Sequence, residues 1–336
     1  MNKPDITGAA KVNTAALILS IAVLSMVLFG GIAMYYSVST DMAGTLFNRL
    51  MTWEITGVIG AIAVYLYGYR NAVKYSIVFL IISLILLVLA RVSTPVNGAH
   101  TWVLLPGFSI QPSRYAMLAL MLFIAHCCSV KQELLNSFSR EIIPLVAAIA
   151  VTCGLLIIDK DYGTAVMLVV TVGIVLAAAG GRFKYLLTVP VALALIFVLA
   201  KCTGLDMAAK GSGYRTWNAL MELGSGSWSG LGLIIVTLAV LGYVVIALLS
   251  FYISVMSKDR QGMLLGVGIS SMLTMQSLIS MLGSGTFMSR GITAPFIGYG
   301  GSNLMMSLVC TGLLLSIAMD SGVIQDVEYN DPDEYV

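Results

Sequence analysis

The sequence predicts an all-α polytopic membrane protein of about ten transmembrane helices, and two features predict it. Of its 336 residues, 59% are hydrophobic and only 10% are charged, with a mean hydropathy of +0.95. That balance places most of the chain in lipid rather than around a water-facing surface. The apolar residues also fall in long charge-free runs, and a bilayer core about 30 Å thick needs roughly 20 helical residues to cross it.

Ten runs qualify, at residues 13–36, 53–69, 74–91, 115–130, 141–158, 163–180, 184–202, 229–256, 262–283 and 298–319. The first is too long for a signal-peptide core and is expected to remain as a span. The expected organisation is a cytoplasmic N-terminal tail at 1–12, a ten-span membrane domain at 13–319 and an acidic cytoplasmic tail at 320–336. An even number of spans puts both termini on one side. With the N-terminus inside, Lys3, Lys11, Arg70, Lys74, Lys131, Arg140, Arg182, Lys184, Lys258 and Arg260 are cytoplasmic, ten basic residues in short loops against eight outside. The last tail carries six acidic residues and no basic one, as a solvated end or a partner-docking peptide does. A net charge of +2 without a basic block gives no sign of a nucleic-acid partner.

The inner connections at 69–74, 181–184 and 257–261 are short turns with little room for chemistry. The outer ones differ: 91–114, 201–228 and 283–298 are long or polar, and 159–164 is short but charged. Function is therefore expected at the outer face, on loops held by a rigid scaffold. The last of these leads into Pro295, Gly298, Gly300 and Gly301, which open the final span with broken backbone; at membrane depth such backbone survives only inside protein or beside a wet cavity. A Gly-rich face that draws helices close is the alternative. The cysteines, Cys127, Cys128, Cys153, Cys202 and Cys310, lie in or beside apolar runs without metal-ligand spacing and read as buried thiols.

Asp159, Lys160 and Asp161 stand at the outer end of the fifth run, where ionisable groups must be paired, solvated or used. They read either as a local ion pair with Lys160 or as the polar corner of a pocket for an anionic, lipid-linked substrate. Arg114 and Arg215 each offer a planar fork of donors to phosphate, or a headgroup anchor that snorkels to the surface. Glu54 is expected to pair with Arg49, and His126 to pack at an inner helix end, apart from His100. No HExxH, GxSxG, P-loop or GxGxxG pattern occurs, so metalloprotease-like and nucleotide-binding chemistry lack a sequence basis.

Four segments resemble the SEDS family (shape, elongation, division and sporulation; the FtsW/RodA/SpoVE group), ten-span proteins that polymerise peptidoglycan glycan strands from lipid II. PFIGYGGSN at 295–303 is similar to the family's PFISYGGSS, and DYGTA at 161–165 to PDLGTA. QPS at 111–113 sits where the family has QPSE, and GSGYRTWNALMELGSGSWSG at 211–230 resembles GAGYQ…ALxAIGSGG…G. NGAHTW at 97–102 resembles NGARRW, and Arg49 and Gly57 fit around the second span. The resemblance implies a substrate side formed by Trp102, Gln111, Ser113, Arg114, Lys160, Asp161, Thr164, Arg215, Tyr299 and Ser302. It implies lipid II or a similar undecaprenyl-linked precursor as substrate, and a class B penicillin-binding protein or another divisome, elongasome or sporulation component as partner. It also implies a bacterial plasma membrane location. No cofactor is evident; a divalent cation at the pyrophosphate is compatible with the chemistry.

The departures are equally specific. Arg114 follows QPS where the family has glutamate, His100 and Thr101 replace two arginines, and Asp159 and Lys160 replace Gln and Pro. After GSGS, residues 228–230 run directly into the eighth span, where relatives carry a long outer segment with an aspartate in a context like DFIFAVIGEELG. Glycosyl transfer needs a base near the attacking hydroxyl, contributing on the order of 10² to 10⁴ in rate, and cationic groups for the leaving pyrophosphate. In the loop after the seventh span only Asp206 and Glu222 are acidic, so they are the candidate substitutes for that aspartate. Three activities stay open on the sequence: a divergent glycosyltransferase, an inactive scaffold or regulator of a wall-synthesis complex, and a lipid-linked precursor flippase, the last lacking a clear inverted repeat.

Overall fold

The structure, a computed structural model, describes residues 6–37, 40–93, 102–105, 108–130, 142–180, 188–202, 231–282, 292–297 and 301–329. Each of the ten apolar runs carries a helix: α1 (Ile6–Ser37), α2 (Thr40–Tyr67), α4 (Ser76–Val92), α5 (Pro112–Val130), α6 (Ile142–Ile158), α7 (Tyr162–Ala178), α8 (Thr188–Cys202), α9 (Leu231–Val255), α10 (Arg260–Leu282) and α11 (Gly301–Tyr329). Among the described residues, five segments are long and apolar enough to cross a membrane by themselves: Ala10–Ile32, Leu50–Tyr67, Val236–Val255, Arg260–Met281 and Gly301–Ser321.

The short turn between α2 and α4 is itself helical, α3 (Tyr69–Lys74). Gly68 makes the reversal into it, at φ 84, where a side chain would be strained. The turn is also an anchoring point. The Tyr69 N–H donates to Ser316 Oγ at 3.0 Å, its hydroxyl lies 3.2 Å from Asp259 Oδ2 and 3.1 Å from Asp320 Oδ2, and Arg70 Nη2 donates to Asp320 at 2.8 Å. The C-terminal end of α2, the start of α10 and the C-terminal part of α11 are thus clasped by one tyrosine.

The core is formed by α5, α7, α10 and α11, whose residues are buried nearly all round. The peripheral helices bury one side and turn Leu17, Ile21 and Leu24 of α1, Ile77, Ile81 and Ile85 of α4, and Leu238 and Leu241 of α9 outward. A helix with large apolar residues exposed along its outer side is stable in hydrocarbon and not in water. One element between α4 and α5 goes beyond the expected helices: an antiparallel hairpin of β1 (Val103–Leu105) and β2 (Phe108–Ile110), with Leu104 opposite Ser109. The Pro106-Gly107 dipeptide between the two strands was its sequence signal.

Helices α2 and α11 pack closely because small residues let them. A Cβ on Gly312 would stand 2.4 Å from the Ala61 carbonyl oxygen, and one on Gly301 would stand 2.2 Å from the Trp53 ring. Both readings of the Gly-rich opening therefore hold in part. Gly301 is a close-contact position, and residues 292–297 ahead of it are irregular backbone enclosed by protein.

Candidate functional site

The hairpin delivers the chain to Gln111 and Pro112, and proline suits the first helical position because its fixed φ and missing N–H cost nothing there. The first turn of α5 is built from QPSR. The Gln111 N–H donates to Ser302 Oγ at 3.3 Å, tying the start of α5 to the start of α11. Gln111, Ser113 and Arg114 are 0%, 2% and 1% exposed. Arg114 is therefore no snorkelling anchor: its guanidinium is sealed inside the bundle.

The corner between α6 and α7 is a helix stop and a helix start sharing one residue. The Lys160 N–H returns to Ile157 O at 3.0 Å and the Asp161 N–H to Leu156 O at 2.9 Å, with Lys160 at φ 61. This is the Schellman pattern, normally given to glycine. Asp161 then caps α7, its Oδ1 accepting from the Thr164 N–H at 3.2 Å. The expected local ion pair of this corner takes a different form. Asp159 faces Arg91, whose Nη1 lies 3.5 Å from Asp159 Oδ1 and 3.0 Å from Ile158 O, while Lys160 is exposed.

Six of the sequence-derived residues converge here: Gln111, Ser113, Arg114, Asp161, Thr164 and Ser302, all buried. Arg114 Nη1 reaches Met167 Sδ at 3.7 Å, and its Nε and Nη2 have no hydrogen-bond partner. Asp161 Oδ2 is likewise unmatched, and the Ser113 and Thr164 hydroxyls lie beside that carboxylate. Asp161 lies in the connection between two spans. Burial pushes its carboxyl above the ordinary range, opposed by the charge of Arg114 and by hydrogen bonds from Thr164 and Ser113. Orphaned buried polar atoms cost about 1–3 kcal/mol each, so a concentration of them marks a place prepared for a polar guest.

The remaining residues are placed as follows. Trp102 is half-buried just before β1. Arg215, Tyr299, Asp206 and Glu222, together with His100, the Arg49 and Cys202 side chains and residues 330–336, lie outside the described residues. Cys127, Cys128, Cys153 and Cys310 are free thiols, and Cys310 lies near Arg114. Glu54 Oε1 packs toward Gly31 of α1, 3.4 Å from where a Cβ would be.

Sequence reasoning missed the frame of the last outer loop. Gln276 Nε2 donates to Thr293 O at 2.9 Å and to Asn303 Oδ1 at 2.8 Å, and Asn303 Nδ2 donates to Thr293 Oγ1 at 2.7 Å. The Tyr243 hydroxyl donates to the Pro295 carbonyl. A lone Gln in an apolar run was the available signal for the first; nothing in the run around Tyr243 announces the second.

The buried QPSR corner, the DYGTA cap and the start of α11 meet in three dimensions. The family model described as "Cell cycle protein", FTSW_RODA_SPOVE, matches residues 12–238 and 229–322. The chain belongs to the FtsW/RodA/SpoVE family. It is 28% identical over 353 residues to the probable peptidoglycan glycosyltransferase FtsW of Trichlorobacter lovleyi, covering 90% of this chain and 92% of that protein. It is 26% identical over 327 residues to the peptidoglycan glycosyltransferase RodA of Mycobacterium tuberculosis, covering 81% and 70%. Among solved structures, the rod shape determining protein RodA of Thermus thermophilus superposes with a TM-score of 0.73 at 23% identity, over 90% of this chain and 96% of that one. A chain of a peptidoglycan synthase complex, in which polymerization and crosslinking are coordinated, superposes with a TM-score of 0.72 at 22% identity, over 90% and 97%. This FtsW/RodA/SpoVE chain thus shares the family's helical membrane fold, and the family's work is peptidoglycan biogenesis.

Proposed function

We propose that this protein polymerises glycan strands from an undecaprenyl-linked disaccharide precursor of the lipid II kind, at the outer leaflet of a bacterial plasma membrane with both termini cytoplasmic. One observation carries the reading: a buried arginine with two unmatched guanidinium nitrogens beside a carboxylate that keeps one oxygen unmatched. Arg114 is suited to the pyrophosphate, because a planar fork of donors matches phosphate oxygens and is strongest away from water. Ser113 and Thr164 supply neutral donors next to it. Asp161, with its second oxygen uncommitted, is the acceptor for a sugar hydroxyl proton or the counter-charge that keeps Arg114 in place.

Lys160, exposed at the lip of the corner, and Arg215 are the cations a precursor meets first. Asp206 and Glu222 remain the proposed carboxylates of the outer loop, and Tyr299 a contact for the sugar. A divalent cation enters this proposal as a counter-ion carried by the pyrophosphate. Likeness to a chain of a synthase complex supports a class B penicillin-binding protein as the partner that crosslinks the product.

The test uses the full chain in lipid vesicles with labelled lipid II. Polymer is expected, and Arg114→Gln should lower its rate by about 10²-fold or more. Wild-type protein that makes no polymer alone or with its partner, yet co-purifies with a class B penicillin-binding protein, would replace this reading with that of an inactive scaffold. The missing outer aspartate segment gives that second reading its specific support.

A further inference from the structure

We propose that Tyr243, on α9, is a positioning residue for this site: its hydroxyl holds the Pro295 carbonyl, and with it the strained turn from which α11 departs toward Gln111. The inference rests on the reading of the site given above.

Phe296 has φ 62, a left-handed conformation that is exceptional for a bulky residue. The Ile297 N–H closes on Pro295 O at 2.7 Å, two residues back, so the segment is a γ-turn of the rare, strained, positive-φ kind. Such backbone persists only where the surroundings over-determine it. Three constraints do so. Upstream, Thr293 is locked to Gln276 and Asn303. From α1, Gly30 leaves no slack: a Cβ there would stand 2.9 Å from Phe296 O and 3.0 Å from Ile297 Cα. From α9, the Tyr243 hydroxyl donates to the carbonyl that the turn itself uses.

The third constraint differs in being a single removable atom. Tyr243, Pro295 and Phe296 also line a narrow crevice between α9 and α10, together with Ser250 and Thr274, so the turn is not backed by close-packed core on that side. Without the hydroxyl, the strain held in the turn is free to relax. Relaxation moves the root of α11, and Ser302 sits one residue into that helix with its hydroxyl on the Gln111 N–H. A lipid-facing helix thereby sets the geometry at the start of α5, where Arg114 stands one turn further on.

The test compares wild type, Tyr243→Phe and the double variant Tyr243→Phe/Phe296→Gly, all as full chains in lipid nanodiscs. Glycine takes positive φ without strain, so the double variant makes the turn without the clasp. In Tyr243→Phe, amide exchange in peptides covering 292–303 should quicken about ten-fold, with peptides from α2 and α7 unchanged. With labelled lipid II, kcat should fall about ten-fold while KM stays within about two-fold. The double variant should recover most of both losses. Unchanged exchange at 292–303 in Tyr243→Phe, or equal quickening along the whole chain, overturns the proposal. Wild type that makes no polymer refutes the catalytic reading of the site alone, and the exchange experiment still decides the role of Tyr243.

Discussion

Arg114 and Asp161 are sealed side by side inside the bundle, and no salt bridge joins them. Each lies within reach of the other's charge, yet the guanidinium turns Nη1 to Met167 Sδ at 3.7 Å, and Asp161 spends Oδ1 on capping α7. A buried cation and anion that do not close on each other keep their other donors and acceptors for a third group. The capping duty explains the separation, because it fixes the carboxylate at the mouth of α7 rather than over the first turn of α5.

This arrangement predicts strong coupling between the two residues. Arg114→Met leaves a buried carboxylate without its counter-charge, and Asp161→Asn keeps a capping oxygen but strands the arginine; each should cost about 3–5 kcal/mol. The double variant should be more stable than the sum predicts, by about 0.5–3 kcal/mol. Unfolding of the three variants in detergent by denaturant titration measures this, and simple additivity would show that the two charges do not sense each other.

Lys160 separates a backbone role from a charge role. At φ 61 it occupies the left-handed position of the Schellman stop, at a cost of about 1–2 kcal/mol that glycine avoids. Lys160→Gly should therefore raise the melting temperature, whereas Lys160→Ala, which keeps the strain, should not. Both variants remove the exposed cation proposed to meet the precursor, so both should raise KM for lipid II by a few-fold at low salt. A KM unchanged in both would confine Lys160 to the turn.

How much of this was legible beforehand depends on scale. The ten apolar runs announced ten helices because a bilayer leaves each span one solution for its backbone. The motif residues Gln111, Arg114, Asp161 and Ser302 pointed to one corner, and they share it. What the runs concealed was the partner of each polar group. Arg91 rather than Lys160 faces Asp159, since the Schellman turn swings Lys160 outward. Arg114 is buried rather than snorkelling, because Pro112 starts α5 only two residues earlier and holds the guanidinium inside the bundle. Tyr243 and Gln276 were hidden because one polar atom in an apolar helix looks alike whether it faces lipid or a carbonyl.

At the opposite end of the bundle from Arg114, Tyr69 should act as a stability clasp with a definite pH signature. Burial, aided by the carboxylates of Asp320 and Asp259 and opposed by Arg70, pushes the Tyr69 phenol well above its ordinary value. A group whose pKa is raised in the fold stabilises fully below its unfolded pKa, about 10 for tyrosine, and loses that contribution as pH climbs toward the folded value. Tyr69→Phe should therefore cost about 1 kcal/mol at pH 7. The gap from wild type should shrink above about pH 10. Melting curves of both proteins across that range test the sign, and a gap that widened with pH would refute it.

Two glycines of α11 make opposite predictions about rescue. At Gly312 a Cβ would meet Ala61 O at 2.4 Å and Ala61 Cα at 2.9 Å, both backbone atoms, so Gly312→Ala can be accommodated only by moving α2 away from α11. The expected cost is about 1–3 kcal/mol, and no change of side chain on α2 should restore it. At Gly301 the obstacle is the Trp53 ring, a side chain, at 2.2 Å. Gly301→Ala should shift the root of α11 and, through Ser302, the bond to the Gln111 N–H, so lipid II polymerisation should fall more than stability does. Replacing Trp53 by the smaller Leu should recover part of that activity in Gly301→Ala, but nothing in Gly312→Ala. Melting temperature and polymer yield in the four combinations distinguish a clash with a ring from a clash with a helix. Rescue at both positions would mean that Trp53 does not set the start of α11.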